Sequence, residues 1–182
     1  MKKKFLKKLT SRLEGINYAF FSGTALEVYT KGRRQSQDVD VLVSESDIHK
    51  IGERFNVEPE KRLVKKEKFT IDDYGFVTDF RGIEVEATTG FPPIRLKEGT
   101  IERVFNNKRK KEYLGQIVYV VHLEEVIAHK AKMGRDKDLA DLRMIKDLDI
   151  EIDKKLLMQI AEDMDIGEGL KILKRLKLDQ GR

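Results

Sequence analysis

Hydrophobic and polar positions along the chain follow two periods, one typical of helices and one typical of strands. The first apolar set recurs at helical spacing and predicts an amphipathic helix over residues 3–14. Its members are Phe5, Leu6, Leu9 and Leu13. The opposite face is basic, and we interpret it as a solvated face, with a nucleic-acid or partner contact as the alternative. The residues of this face are Lys3, Lys4, Lys7, Lys8 and Arg12.

Short apolar runs then predict strands joined by turns. The first two strands cover residues 17–22 and 38–43, with a helix over 24–30 and a basic polar loop over 32–37 between them. A helix is predicted next, over residues 45–55, with Ser44 as its N-cap and Asp47 completing a capping-box-like pattern. Further strands are predicted over residues 62–64, 76–80, 82–88 and 116–121. The connections include a turn over 72–75, a bend at Arg81-Gly82 and a solvated basic loop over 108–111.

Behind residue 121 the apolar period becomes helical and stays so to the end of the chain. The predicted helices cover residues 122–133, 136–147, 154–163 and 168–176. We therefore expect an α+β protein, with a mixed sheet flanked by helices over residues 1–121 and a C-terminal helical part over 122–182. The two parts can equally be counted as a single domain.

The composition excludes some classes of protein but does not indicate a particular chemistry. The chain has 182 residues, a charged fraction of 38% and a net charge of +5, which permits nucleic acid as a partner without requiring it. It has no cysteine, and its three histidines lack the spacing of a zinc site. No secretory signal and no apolar run of roughly 20 residues is present, so we expect a cytoplasmic protein with no membrane partner.

The candidate chemistry begins at Asp38 and Asp40, two residues apart at the start of a predicted strand. Strand side chains alternate, so the two carboxylates would share a face while Val39 turns into the core. Two neighbouring carboxylates repel one another unless a cation or a proton lies between them, and a divalent metal is the natural partner. Upstream, Gly23-Thr24 at the start of a helix offers backbone N–H groups that suit phosphate. Together they suggest chemistry on a nucleoside triphosphate.

These residues resemble the first motif of the nucleotidyltransferase superfamily of the DNA polymerase β type, in particular its small and minimal stand-alone members. That motif is a Gly-[Gly/Ser] turn, a spacer and Asp-x-[Asp/Glu]. Here Gly23-Thr24 is followed by thirteen residues and then Asp38-Val39-Asp40, with Thr24 in place of the usual second Gly or Ser. Small members often write the approach to the aspartates as Arg-x-Thr-x-Asp. The segment from Arg34 through Ser36 to Asp38 is similar to it.

The third carboxylate of that superfamily lies on a later strand between hydrophobic residues. Both Glu84 and Glu86 satisfy this pattern, and we choose Glu86 because related small members place their acid there, with Glu84 as the fallback. Residues 123–142 resemble a further pair of helices found in several small families, Leu-x-x-Leu-Ile-x-x-Lys followed by Lys-Asp-x-x-Asp-Leu. The resemblance thus spans residues 20–148.

The resemblance implies a nucleotidyltransferase-like fold and a Mg²⁺-dependent transfer of a nucleoside monophosphate from an NTP to an acceptor hydroxyl. Asp38, Asp40 and Glu86 would be catalytic and would hold two Mg²⁺ ions. Gly23 and Thr24 would contact the nucleotide, Thr24 through its N–H and its hydroxyl. The residues that would support this site are Ser36, Arg34 and Glu84. The acceptor, whether tRNA or another RNA, a partner protein or a small molecule, is left open.

Lys130 lies on the apolar stripe of its predicted helix, so its ammonium either reaches the surface or binds a buried anion, for which the triphosphate is the candidate. Asp138 and Asp141, in the first turns of the next helix, suit the helix dipole and could pair with Lys130 or Arg135. The histidines of this region, His122 and His129, are predicted at a helix start and on a helix surface. The alternatives to an enzyme are an inactive nucleotide- or partner-binding member of the fold and an RNA-binding module.

Overall fold

The computed structural model describes residues 1–66, 69–90 and 99–178, which form two compact units, Met1–Val121 and His122–Arg182. The described part of the chain contains seven strands in one mixed sheet and eight α-helices, which confirms the predicted fold class. In the first unit these are α1 (Lys3–Arg12), β1 (Tyr18–Phe20), α2 (Ser22–Tyr29), β2 (Val39–Val43), α3 (Ile48–Phe55), β3 (Glu60–Lys66), β4 (Phe69–Asp79), β5 (Glu84–Thr88), α4 (Thr100–Asn107), β6 (Arg109–Tyr113) and β7 (Gln116–Val120). In the second unit they are α5 (Leu123–Met133), α6 (Asp136–Asp147), α7 (Lys154–Asp163) and α8 (Gly169–Leu176).

The sheet places β1 and β2 at its centre. The strand order is β3-β4-β5-β2-β1-β7-β6, and the pairs β2–β5 and β1–β7 are parallel while the other neighbours are antiparallel. Central strands are covered on both faces, so their sequences are continuous apolar runs. Ala19, Phe20, Val41 and Leu42 are accordingly fully buried.

The apolar stripe of α1 is buried as predicted. Phe5, Leu6, Leu9 and Leu13 are all part of the core of the first unit. Most of the basic face is exposed. Arg12, however, places its guanidinium 5.8 Å from the ring centres of both Phe55 and Phe80, which stabilises it by cation–π attraction.

The bend at Arg81-Gly82 is confirmed as a two-residue hairpin loop. Both residues have positive φ, +61° for Arg81 and +77° for Gly82, as a turn that matches the twist of its strands requires. Phe80 and Ile83 close the loop by exchanging backbone hydrogen bonds of 2.8 and 3.3 Å.

The predicted turn over residues 72–75 is wrong, because β4 runs through it without interruption. Asp73 pairs with Arg62 of β3, and Gly75 pairs both with Glu60 of β3 and with Thr88 of β5. Pairing on both sides outweighs the local turn preference of Asp and Gly. The Asp73 carboxylate is buried and accepts a hydrogen bond of 2.5 Å from the Thr88 hydroxyl.

The prediction of a solvated loop over residues 108–111 is also wrong as far as secondary structure is concerned. Arg109, Lys110 and Lys111 belong to β6, which pairs with β7 through a two-residue connection at Leu114 and Gly115. Their side chains are exposed, as predicted. β6 is the last strand in the sheet, and lysines at such an edge discourage pairing with other chains.

The helix predicted over residues 45–55 begins later, at Ile48, after a turn of 3₁₀ helix over Glu45–Asp47. Ser44 makes no side-chain cap to it. Asp47 instead accepts a hydrogen bond of 2.7 Å from the backbone N–H of Asn17, so it anchors the start of β1. The first predicted strand is also shorter than expected, since Ser22 already belongs to α2.

In the second unit α5 is contacted by α6, α7 and α8. Its predicted stripe is confirmed, with Leu123, Val126, Ile127 and Ala131 buried. Gly169 begins α8, and a side chain there would come within 2.7 Å of the Ala131 carbonyl oxygen, so only glycine lets α8 approach α5 this closely. Within the described ranges, no helix has the length and apolar character needed to cross a membrane.

Candidate active site

Asp38 and Asp40 lie at the N-terminal end of β2. Asp40 is the second residue of the strand and Asp38 immediately precedes it. Val39 between them is only 1% exposed, while both aspartates are half-buried. The alternation expected from the sequence is therefore present, and the two carboxylates share the less buried face.

The register between β2 and β5 decides which glutamate lies beside them. The strands are parallel, and Asp40 pairs with Glu86 while Val39 pairs with Val85. Neighbouring strands lie about 4.8 Å apart, so the Asp40 and Glu86 side chains start side by side on one face. Glu84 is exposed and lies two residues earlier, outside the paired segment of β2. The structure thus brings Glu86 rather than Glu84 level with Asp40, and its role as a metal ligand stays a prediction.

Ser36 holds the other aspartate. Its hydroxyl donates a hydrogen bond of 2.9 Å to Asp38 Oδ1. A donor at this position stabilises the ionised carboxylate and restricts its orientation. Ser36, singled out in the sequence as a supporting residue, is therefore in direct contact with Asp38.

Thr24 uses its hydroxyl inside the fold. Thr24 is fully buried, its Oγ1 accepts a hydrogen bond of 2.8 Å from the Asp40 backbone N–H, and it lies 3.4 Å from the Asp38 carbonyl oxygen. The hydroxyl therefore joins the first turn of α2 to the start of β2. A contact of this hydroxyl with a phosphate stays a prediction, as does that of the backbone N–H groups of the turn.

Gly23 makes room for two side chains of the basic loop. A Cβ atom on Gly23 would lie 2.7 Å from Arg34 Nη1 and 2.7 Å from Ser36 Oγ. The Arg34 guanidinium therefore rests against the first turn of α2, next to the positive end of the helix dipole. Two positive groups side by side are stabilised by an anion, and a guanidinium with helix N–H groups is a common phosphate-binding combination. Gly23, predicted to contact the nucleotide, and Arg34, predicted to support the site, thus lie together.

Glu27 is a residue of this region that sequence reasoning missed. It is fully buried in α2, and its carboxylate accepts hydrogen bonds from the Ser36 backbone N–H at 2.7 Å and from the Tyr113 hydroxyl at 2.9 Å. It also lies 2.5 Å from the amine of Met1. Burial, and then the contact with Glu27, raise the pKa of Tyr113, so this phenol stays a donor. The available signal was a single charged residue in an otherwise uncharged short helix.

Lys130, in the second unit, is engaged by two carboxylates. Lys130 is only 3% exposed, and its Nζ lies 3.3 Å from Asp138 Oδ1 and 2.6 Å from Asp141 Oδ2. The pairing predicted for these aspartates is confirmed, and the alternative in which the ammonium reaches the surface is wrong. Its contact with a triphosphate stays a prediction. Burial by itself would raise the pKa of Asp138, but the hydrogen bond from Arg135 and the charge of Lys130 outweigh it and hold that pKa below its ordinary value.

Of the two positions predicted for His122 and His129, the structure confirms only the first. His122 is the N-cap residue of α5, as predicted for a helix start. His129 was predicted on the helix surface, and this is wrong, because it is only 5% exposed and lies in a segment, residues 123–131, that is buried throughout.

The carboxylates offer an incomplete but suitable set of metal ligands. Within the part of the chain that the structure describes, no three acidic or histidine side chains are gathered closely enough to hold one ion. Mg²⁺ often takes only one or two carboxylates and completes its shell with water and substrate phosphate. Asp40 level with Glu86, and Asp38 held at the same strand end, fit a site of that kind.

Comparison with known proteins yields similarity in structure but not in sequence. No protein-family model matches the chain, and no curated protein matches it significantly. A candidate nucleotidyltransferase from Thermotoga maritima superposes with a TM-score of 0.52 at 24% identity, over 78% of this chain and 89% of that one. An antigenic nucleotidyltransferase-like protein from Paracoccidioides brasiliensis superposes with a TM-score of 0.51 at 16% identity, over 98% of this chain and 88% of that one.

The chain therefore has a nucleotidyltransferase-like fold, which confirms the resemblance drawn from its motifs. At these identities the likeness concerns the fold alone, and the chemistry must be argued from the residues of this chain.

Proposed function

We propose that the protein is a Mg²⁺-dependent nucleotidyltransferase, which moves a nucleoside monophosphate from an NTP to a hydroxyl of an acceptor and releases pyrophosphate. The observation that carries this proposal is the pairing of Asp40 with Glu86 on adjacent parallel strands, beside Asp38 at the same strand end. Carboxylate oxygens placed side by side at one strand end are the ligands that Mg²⁺ prefers, so a role in metal binding accounts for this arrangement. The fold and the positively charged turn at Gly23 and Arg34 support a nucleotide as the donor.

In this proposal Asp38, Asp40 and Glu86 hold two Mg²⁺ ions. The bound ions would lower the pKa of the attacking hydroxyl and neutralise charge on the leaving pyrophosphate. Arg34 and the N–H groups at the start of α2 bind the triphosphate. Thr24 contributes indirectly, because its hydroxyl fixes the backbone that carries Asp40.

The test is transfer of label from α-labelled NTPs, with Mg²⁺, to pools of tRNA, other RNA and protein. Asp40→Asn and Glu86→Gln should each lower transfer by more than about a hundredfold, because even the outer partners of metal ligands are worth about 10–100-fold. Glu84→Gln is the matched control, since it makes the same charge change on the same strand at an exposed position. Equal losses in Glu84→Gln and Glu86→Gln, or full transfer by Asp40→Asn, would contradict the proposal.

An inactive nucleotide-binding member of the fold is the second candidate. The observation behind it is the positively charged turn at Gly23 and Arg34, which can bind phosphate without a metal ion. Calorimetry separates the two candidates. NTP binding that is independent of Mg²⁺ and unaffected by Glu86→Gln, with no transfer to any acceptor, supports the inactive member.

A further inference from the structure

We propose that Glu27 is a positioning residue, which fixes the orientation of Asp38 by holding the backbone of Ser36. The inference rests on the proposed function, because it assigns Asp38 a metal to bind. Glu27 does not reach the metal ligands itself. It acts through a chain of two hydrogen bonds, from its carboxylate to the Ser36 N–H and from the Ser36 hydroxyl to Asp38.

The first link is strong because it is charged and buried. Glu27 is fully buried, and its Oε2 accepts the Ser36 N–H at 2.7 Å. A hydrogen bond to an ionised group is roughly twice as strong as a neutral one. Burying a carboxylate costs several kcal/mol unless its lone pairs are satisfied, and those of Glu27 are satisfied by the Ser36 N–H, the Tyr113 hydroxyl and the Met1 amine.

The second link connects this anchor to the candidate metal ligand. Ser36 Oγ lies 2.9 Å from Asp38 Oδ1. Fixing the Ser36 backbone fixes the origin of its side chain, and with it the direction from which the hydroxyl reaches Asp38. Partners of metal ligands that act in this way are typically worth about 10–100-fold in metal affinity.

The loop between α2 and β2 needs such an anchor. It starts with two consecutive residues of positive φ, Lys31 at +52° and Gly32 at +82°. The Gly32 N–H is held by the backbone carbonyl of Glu27 at 2.9 Å, and the Arg34 N–H by the Thr30 hydroxyl at 3.1 Å. The same residue of α2 therefore holds the loop at its start, through its backbone, and next to Asp38, through its side chain.

An ionised carboxylate suits the position better than its neutral isostere. Ser36 and Tyr113 each donate to a different oxygen of Glu27. A glutamine has only one acceptor oxygen, and the side of Glu27 that faces Tyr113 also faces the Met1 amine, which can only donate. We therefore expect the glutamine oxygen on that side and its NH₂ group opposite the Ser36 N–H. Glu27→Gln is then a mild change of shape that removes the Ser36 contact, and Glu27→Met removes both acceptors.

The experiment compares Mn²⁺ binding, as a spectroscopic probe for Mg²⁺, in the full chain with a non-hydrolysable NTP analogue present. Ser36→Ala and Glu27→Met should each weaken Mn²⁺ binding by about 10–100-fold. The double variant should be no weaker than the worse single one, because both changes break the same chain. Tyr113→Phe is the matched control, because it removes a hydrogen bond to Glu27 but leaves the Ser36 contact; we expect a change of less than about twofold.

Hydrogen exchange at the Ser36 amide is the readout that does not depend on metal. Protection should fall in Glu27→Met and Glu27→Gln and should persist in Tyr113→Phe. Should Glu27→Met fail to fold, Glu27→Gln carries both measurements, with a smaller loss expected. The proposal is overturned if a folded Glu27 variant binds Mn²⁺ like the wild type, or if the Glu27 and Ser36 losses multiply. If the wild type and Asp38→Asn bind Mn²⁺ equally poorly, the proposed function fails, and the metal-positioning role of Glu27 fails with it.

Discussion

Replacing Lys130 by methionine should strongly destabilise the helical unit. The Lys130 ammonium lies between two buried carboxylates, 3.3 Å from Asp138 and 2.6 Å from Asp141. Asp138 is fully buried and Asp141 is 6% exposed. Methionine keeps the length and the apolar stem of lysine but removes its charge. The two carboxylates then face each other without the ammonium between them, and Asp138 keeps its ion pair with Arg135.

Removing one partner from a buried ion pair costs about 3–5 kcal/mol, because it leaves an uncompensated buried charge. Arg135 keeps Asp138 partly compensated, since its Nε lies 2.6 Å from Asp138 Oδ2. We therefore expect a loss of about 3 kcal/mol, the lower end of that range. A surface substitution with the same loss of charge should stay within about 0.5 kcal/mol.

Urea denaturation followed by far-UV circular dichroism measures this loss. Lys137→Met, an exposed lysine of α6, is the matched control. Adding Asp138→Asn and Asp141→Asn to Lys130→Met removes the two carboxylate charges that had faced the ammonium and should recover part of the stability. If Lys130→Met unfolds at the same urea concentration as Lys137→Met, the ammonium does not hold the carboxylates together, and the structural role assigned to it is refuted.

The remaining predictions concern acid stability and the two turn residues of the candidate active site. Folding lowers the pKa of Asp138, so the ionised carboxylate stabilises the folded state fully at pH values above its ordinary pKa of 3.8. This stabilisation is lost as the pH falls through the lower pKa of the folded state. In acid denaturation curves, Lys130→Met should move the loss to higher pH. Thr24→Val removes the hydroxyl that accepts the Asp40 N–H and should lower the free energy of unfolding, measured by urea titration, by about 1–3 kcal/mol. Thr24→Ser keeps the hydroxyl and should therefore keep NTP binding. Gly23→Ala should displace the Arg34 guanidinium and the Ser36 hydroxyl and weaken NTP binding measured by calorimetry by about tenfold, equal to about 1.4 kcal/mol. The melting temperature should fall as well, because Ser36 is short and held by Glu27 and Asp38, so it cannot move aside as the long Arg34 side chain can.

Features that depend on local spacing could be predicted from the sequence. The buried stripes of α1 and α5, the bounds of α6 and α7, and the two-residue loop at Arg81-Gly82 all follow from periodicity or from turn chemistry within a few residues. The alternation that buries Val39 between Asp38 and Asp40 is of the same kind. In each case the information lies within one element, so no knowledge of its neighbours is needed.

Features that depend on strand pairing could not be predicted. Residues 72–75 carry a local turn signal, yet two neighbouring strands hold them extended. The basic run at 108–111 contains the start of an edge strand because a strand partner follows it across a two-residue connection. Tertiary hydrogen bonding overrides weak local preference in both segments.

The same division runs through the candidate active site. The sequence by itself determined that two aspartates share a face of one strand, beside a Gly-Thr turn at a helix start. Glu84 and Glu86 have equivalent sequence surroundings, and only the register between β2 and β5 places Glu86 level with Asp40. The buried position of Glu27 was likewise decided by the tertiary structure, because its partners lie 9 and 86 residues away along the chain and are brought together only by folding.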